Sequence, residues 1–203
     1  TPIRYGDPQG TARIFDYFGD VVPPVITLAD AIKSGRLVEY QYYPHAINLT
    51  ADEADGWRDF TRQIKLEVAK SKKDANGAAI ISDKAKLLLI RRARIAKKAH
   101  TKPAPACEVV SRHYEAGQHW LLYCEDRHQL GEVIAALSSR GINAVEYHSA
   151  MTGDRDATLA WFRSFGGVLV SIRCLDEGVD IPAISHALIL ASSQNPRQFI
   201  QRR

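Results

Sequence analysis

A chain of 203 residues, 45% hydrophobic and 25% charged, is long enough for a full core and too ordinary in composition to be fibrous or disordered. Its apolar runs fall short of the ~20 residues of a membrane span. No signal peptide opens it, and Cys107, Cys124 and Cys174 suit neither a disulfide framework nor a CxxC metal site. The expectation is a cytoplasmic chain with reduced thiols, no membrane contact and no metal; its seven histidines lack HExxH-type spacing. The opening TPIRYGDPQG has no initiator methionine, and the chain reads as a piece of something larger.

Gly6, Pro8, Gly10, Pro23 and Pro24 punctuate an irregular first segment with a short helical pattern at Ile14, Phe15 and Phe18. Thr27 caps a small helix that Gly35 ends, with Asp30 at its third position. LVEYQYYPHAINL, Leu37 to Leu49, is aromatic and β-branched and predicts a strand, Pro44 marking an edge or bulge. Thr50 to Glu53 is a capping box opening a long helix with Trp57, Phe60 and Ile64 as core residues along one side. Asn76-Gly77 breaks it, a second helix runs from about Ser82 to His100, and a third from about Ala106 to Glu115 after Pro103 and Pro105.

From Gln118 the rhythm changes. Strands at His119–Cys124, Ile142–His148, Val168–Ile172 and Ser185–Ala191 alternate with helices at Arg127–Arg140 and Asp154–Phe165, the latter carrying Leu159, Phe162 and Phe165 toward the core. The last strand reads as buried on both faces. Asn195 caps a final helix with Pro196 first, in which Gln198, Gln201 and Arg202 share a face. Such alternation specifies an α/β fold, a parallel sheet with helices on both faces, and ligands then sit at the carboxyl ends of strands. Those ends carry Cys124-Glu125-Asp126, His148-Ser149, Arg173 to Asp180, and Ser192 to Asn195.

Charge is uneven. Between Lys65 and Lys102 stand twelve Lys/Arg against Glu67, Asp74 and Asp83, so this segment is +9 in a chain whose total is +4. That suits an anionic partner such as nucleic acid, with Arg91, Arg92, Arg94 and Lys98 as phosphate contacts, and it equally suits a solvated helical face. Asp176, Glu177 and Asp180 around Gly178 read as a solvated acidic loop or a site, and Arg173 as a phosphate contact or a partner for Asp176. Cys124 and Cys174 read as small buried strand-end residues, His148 as a structural hydrogen-bonder.

VLVSIRCLDEGVDIP (Val168 to Pro182), with NPRQFIQRR some fifteen residues later, resembles motifs V and VI of superfamily 2 helicases, nearest to restriction-enzyme motor subunits and related DNA translocases. WLLYCEDRHQL (Trp120 to Leu130) is similar to the motif IV strand. VEYHSAMTGDRDATLAWF (Val145 to Phe162) is similar to the segment after it, with Arg155 and Phe162 at the usual arginine and phenylalanine. TPIRYGD resembles the stretch just after motif III in that family. The resemblance implies a RecA-like second domain of a DEAD/DEAH-type motor, with 1–36 as the tail of a first RecA-like domain and linker, 37–117 as a strand plus basic helical segment, and 118–203 as the second domain, truncated within motif VI.

It implies ATP and Mg2+ as cofactors, bound mainly by the first domain, with Gly178, Asp180, Gln201 and Arg202 reaching the nucleotide and Gln201 and Arg202 opening the catalytic motif VI. Arg173 and Arg155 join the basic segment as nucleic-acid contacts. No phosphate loop or Asp-Glu box occurs, so this piece alone is expected to be inactive. Ile172 stands where relatives place a backbone-contacting threonine, Ser149 replaces a frequent glycine, and Glu177 replaces the arginine of RNA-unwinding relatives, favouring DNA over RNA. The implied partners are DNA, the remainder of its own chain, and restriction, defence or repair subunits. The alternative is a non-catalytic nucleic-acid-binding or assembly module on the same fold; a doubly wound metabolite enzyme is disfavoured because no Gly-rich loop follows any strand.

Overall fold

The computed structural model describes residues 3–4, 7–36, 38–73, 77, 79–172 and 184–191. They fall into two units, divided between Ala46 and Ile47. The first holds α1 (Pro8–Phe18) and α2 (Leu28–Lys33). Asp7 caps α1 by accepting from the Gly10 amide at 2.8 Å, and Thr27 and Asp30 form the reciprocal capping box of α2.

Residues 38–50 form neither strand nor helix, which corrects the expected strand at Leu37–Leu49. Alternating aromatic and β-branched residues suit a pleated, half-buried surface, but a strand needs a ladder partner. None is paired with this stretch among the described residues, and Tyr43 is 69% exposed.

The second unit opens with a helical hairpin, α3 (Ala51–Ala69) and α4 (Asp83–Lys97). The Thr50–Glu53 capping box starts α3, and the Ser82 hydroxyl accepts from the Ala85 amide to start α4. Ile64 of α3 and Ala85 and Leu88 of α4 are buried, and Gly56 lets the helices approach: a Cβ there would lie 3.3 Å from Ile95 Cδ1. Arg92 sits with its guanidinium 5.0 Å from the Trp57 ring centre and donates to Thr61 Oγ1 at 3.3 Å. Arg92→Ala should therefore cost about 1 kcal/mol of stability through the lost cation–π contact and its packing. Urea denaturation measures that loss.

The rest is a parallel sheet of four strands in the order β2-β3-β1-β4: β1 (His119–Tyr123), β2 (Ala144–Tyr147), β3 (Gly167–Ser171) and β4 (His186–Ile189). Around it lie α5 (Pro103–His113), α6 (Arg127–Ser138) and α7 (Arg155–Phe165). Two-residue periodicity splits each central strand between two cores. Trp120, Leu122, Val168 and Val170 pack with α5 and α6 through Val110, Val133 and Leu137. Leu121, Tyr123 and Leu169 pack with Leu159 and Phe162 of α7. The chain moves outward from β1 to β2 and back to β3, so right-handed crossovers place α6 and α7 on opposite faces.

Gly166 makes the tight entry to β3: its φ is +73°, and a Cβ would come within 2.7 Å of the Gln118 carbonyl.

Three expectations change in detail. Pro103 is the first residue of α5 and does not merely precede it, because a missing N–H costs nothing in the first turn. Phe165 is 69% exposed, since α7 ends there and its last residue overhangs the core. Among the described strands β4 lies at the sheet edge, with His186 and Ala187 exposed, so it is not buried on both faces. The helix expected after Asn195 lies outside the described residues. Among those described, no helix is long and apolar enough to cross a membrane.

Candidate functional site

The carboxyl ends of β1, β2 and β3 open into a cleft of about 460 Å³. Glu125, Asp126 and Arg127 enter it after β1, His148, Ser149 and Ala150 after β2, and Ile172 after β3. Its remaining wall is foreign to the sheet: Arg94 and Lys98, from the end of α4.

Short-range bonding fixes that wall in place. Lys97 Nζ lies 3.6 Å from Glu125 Oε2, and Lys98 Nζ 2.5 Å from Asp126 Oδ2. Gln129, buried in the first turn of α6, donates from Nε2 to the Lys97 carbonyl at 3.1 Å and accepts from the Glu125 amide at 2.9 Å. Asp126 is also the N-cap of α6, accepting from the Gln129 amide at 3.0 Å. Partial burial pushes its carboxyl upward, but the Gln129 amide and the Lys98 ammonium outweigh this and hold it below the ordinary aspartate value.

Nearby, Lys102 donates to the Leu190 carbonyl; burial lowers its pKa, opposed by Glu125 and assisted by Lys97.

The charge balance is uneven. Both carboxylates of the cleft are matched by lysines, whereas the guanidinium groups of Arg94 and Arg127 have no ion-pair or hydrogen-bond partner among the described residues. What remains is a concave surface with two open guanidinia at the start of a helix, chemistry suited to an anion.

His148 is buried and engaged, with Nε2 3.1 Å from Glu146 Oε2 and Nδ1 accepting from the Ala150 amide at 3.2 Å. Cys124 is buried, and burial, then Asp126 and Cys107, push its thiol up to about 12, which rules out a thiolate nucleophile at neutral pH. No group of three or more His, Cys, Asp or Glu among the described residues is placed to hold a metal.

Of the residues singled out in the sequence, Arg94 and Lys98 meet in this cleft. Arg91 lies one turn from Arg94 on the same exposed side of α4. Arg92 turns the other way, onto Trp57. Arg155 is exposed at the first position of α7 and does not line the cleft. Arg173, Gly178, Asp180, Gln201 and Arg202 lie outside the described residues. Sequence reasoning passed over Arg127, taking it only as a helix start; its place directly after a strand-end acidic cap was the available signal.

Residues 101–203 match the family model of the helicase conserved C-terminal domain. The Pyrococcus furiosus Hef helicase domain is 22% identical, with a TM-score of 0.42, over 59% of this chain and 25% of its own. S. cerevisiae Dbp5 bound to RNA and ADP BeF3 is 21% identical, with a TM-score of 0.43, over 49% of this chain and 28% of its own. The chain thus spans about a quarter of the length of these two solved chains. No curated protein sequence matches it.

Proposed function

Because the chain belongs to the helicase conserved C-terminal domain family, we propose that it serves as the second RecA-like half of an ATP-dependent DNA helicase or translocase, its strand-end cleft forming part of the nucleic-acid track. The observation that carries this reading is the pair of open guanidinia, Arg94 and Arg127, beside carboxylates that lysines already neutralise. A phosphodiester backbone supplies what such a surface lacks, repeated charge that guanidinium groups bind in bidentate fashion.

DNA is preferred over RNA in this proposal because Glu177 stands where RNA-unwinding relatives carry arginine. That position also ties the proposal to the restriction-type branch. Gly178, Asp180, Gln201 and Arg202 are assigned by resemblance to the ATP cleft, where Mg2+ and the phosphate loop would come from the first RecA-like domain. ATP, when bound there, supplies the free energy of phosphoryl transfer, and Gln201 and Arg202 would present polar groups to it from across the cleft.

The test is salt-dependent binding of the chain to a fluorescein-labelled single-stranded oligonucleotide. With Arg91, Arg94 and Arg127 as the phosphate contacts, log K should fall against log salt with a slope of about −2, at about 0.7 per contact. A slope near zero, or no binding at low salt, would overturn the assignment.

A further inference from the structure

A lysine stands at the start of α5 where the fold asks for none. Lys102 is the N-cap of that helix, partly buried, and makes no side-chain capping bond. A cation there meets the positive end of the helix dipole. Burial works against its charge, Glu125 works for it, and Lys97 again works against it. An apolar side chain would avoid all three, so the cation is kept for what it holds.

Two acceptors compete for that ammonium. It donates to the carbonyl of Leu190, the first residue beyond β4. Glu125, two residues beyond β1, lies within electrostatic reach and lines the cleft. The Glu125 carboxylate is held by Lys97 at 3.6 Å, loosely compared with the about 2.7–2.9 Å of a tight charge-assisted bond. A carboxylate has lone pairs for several donors, so one such group can take both lysines.

Leu190 is where β4 parts from β1. Its amide and that of Ala191 both donate to the Tyr123 carbonyl, at 3.0 and 3.3 Å. Lys102 fastens the same residue from its carbonyl side.

We propose that Lys102 is a ligand-responsive latch: an anion seated in the cleft draws its ammonium from the Leu190 carbonyl to the Glu125 carboxylate and so loosens the end of β4. The proposal rests on the anion-binding reading of the cleft and adds a conformational response to it.

Electrostatics sets the direction. An anion on Arg94 and Arg127 adds negative potential on the side of the cleft where Glu125 sits. A cation is then drawn more strongly toward Glu125, whereas the neutral Leu190 carbonyl gains nothing. Lysine suits such an exchange, because its compact ammonium rides on a flexible stem and can change acceptor without moving the backbone. A fixed strut would need only the carbonyl, with no carboxylate competing beside it.

Hydrogen exchange at Leu190 and Ala191 is followed by mass spectrometry in the full chain, with and without a saturating single-stranded thymidine oligonucleotide. In the parent chain the oligonucleotide should speed exchange of these amides about tenfold, the effect of losing one charge-assisted bond. Glu125→Gln keeps the shape and removes the competing charge, so exchange should stay slow with or without the oligonucleotide. Lys102→Met should exchange fast in both states.

A parent chain that binds the oligonucleotide with these amides unchanged or better protected overturns the proposal. So does a Glu125→Gln variant that still responds, since the release would then have another cause. Failure of the underlying reading looks different: the oligonucleotide does not bind, or Arg94→Ala with Arg127→Ala leaves its affinity unchanged, and the latch falls with the anion it answers to.

Discussion

Phe162→Ala is expected to lower the unfolding free energy by about 3–5 kcal/mol, measured by urea denaturation. Phe162 is fully buried, and it fills the face of the sheet that α7 covers, against Leu121, Tyr123, Tyr147, Leu159 and Leu169. The other face is packed by two helices, α5 and α6, and can relax around a single truncation; among the described residues α7 is the one helix on its own face. A domain of this size is commonly stable by about 5–15 kcal/mol, so this one change should remove a large fraction and leave α7 frayed. A loss below about 1 kcal/mol would mean that α7 does not seal the sheet in solution. Phe162→Leu should cost clearly less, because most of the volume is kept.

Arg94→Ala with Arg127→Ala should weaken single-strand binding about a hundredfold near 0.1 M salt and flatten the log–log salt slope by about one to two units. Each guanidinium removed takes away one charge-assisted contact, worth roughly a factor of ten. Neither side chain supports the fold through a hydrogen bond or ion pair among the described residues, so the unfolding midpoint should move little. Asp126→Ala supplies a companion of opposite sign. It removes a carboxylate from the cleft and frees Lys98, so anion affinity should rise, while loss of the α6 cap costs about 1 kcal/mol of stability.

The Asp126 carboxyl is depressed in the fold. Its stabilising contribution is therefore complete above the ordinary aspartate value and is lost as pH falls through the lower folded value. The alanine variant should lack that acid-side decline. A hundredfold loss accompanied by a collapsed melting curve would make the arginines structural.

Much of the second unit was legible from sequence because local signals and long-range packing agree there. Strands bounded by Gly141 and Gly166, helices opened by Asp126 and Asp154, and apolar spacing at Leu130, Val133 and Leu137 all point one way. Legibility fails where identity depends on a neighbour.

The tyrosines of 40–43 have strand propensity, but propensity cannot supply a ladder. Leu188 and Ile189 look like a central strand, yet among the described strands they lie at an edge. At the site, Arg94 and Lys98 line the cleft, whereas Arg92, two residues and about 200° of helical rotation from Arg94, rests on Trp57. Arg127 escaped notice because its meaning comes from α4, which lies thirty residues away in sequence and across the cleft.

The clamp between the end of α4 and the strand end has a mechanical consequence. Lys97 and Lys98 grip Glu125 and Asp126, Gln129 holds the Lys97 carbonyl, and the Glu53 carboxylate accepts from the His100 amide at 2.9 Å, so both legs of the hairpin are tied at its base. The hairpin then behaves as a lever whose fulcrum is the β1–α6 corner, with an arm of about 28 Å for the nineteen residues of α3. A turn of the sheet by only about 7° would sweep the far end through about 3.4 Å. Small rotations at the corner are thus magnified at the tip, and loosening the base, not shortening the arm, would be the surest way to uncouple the two.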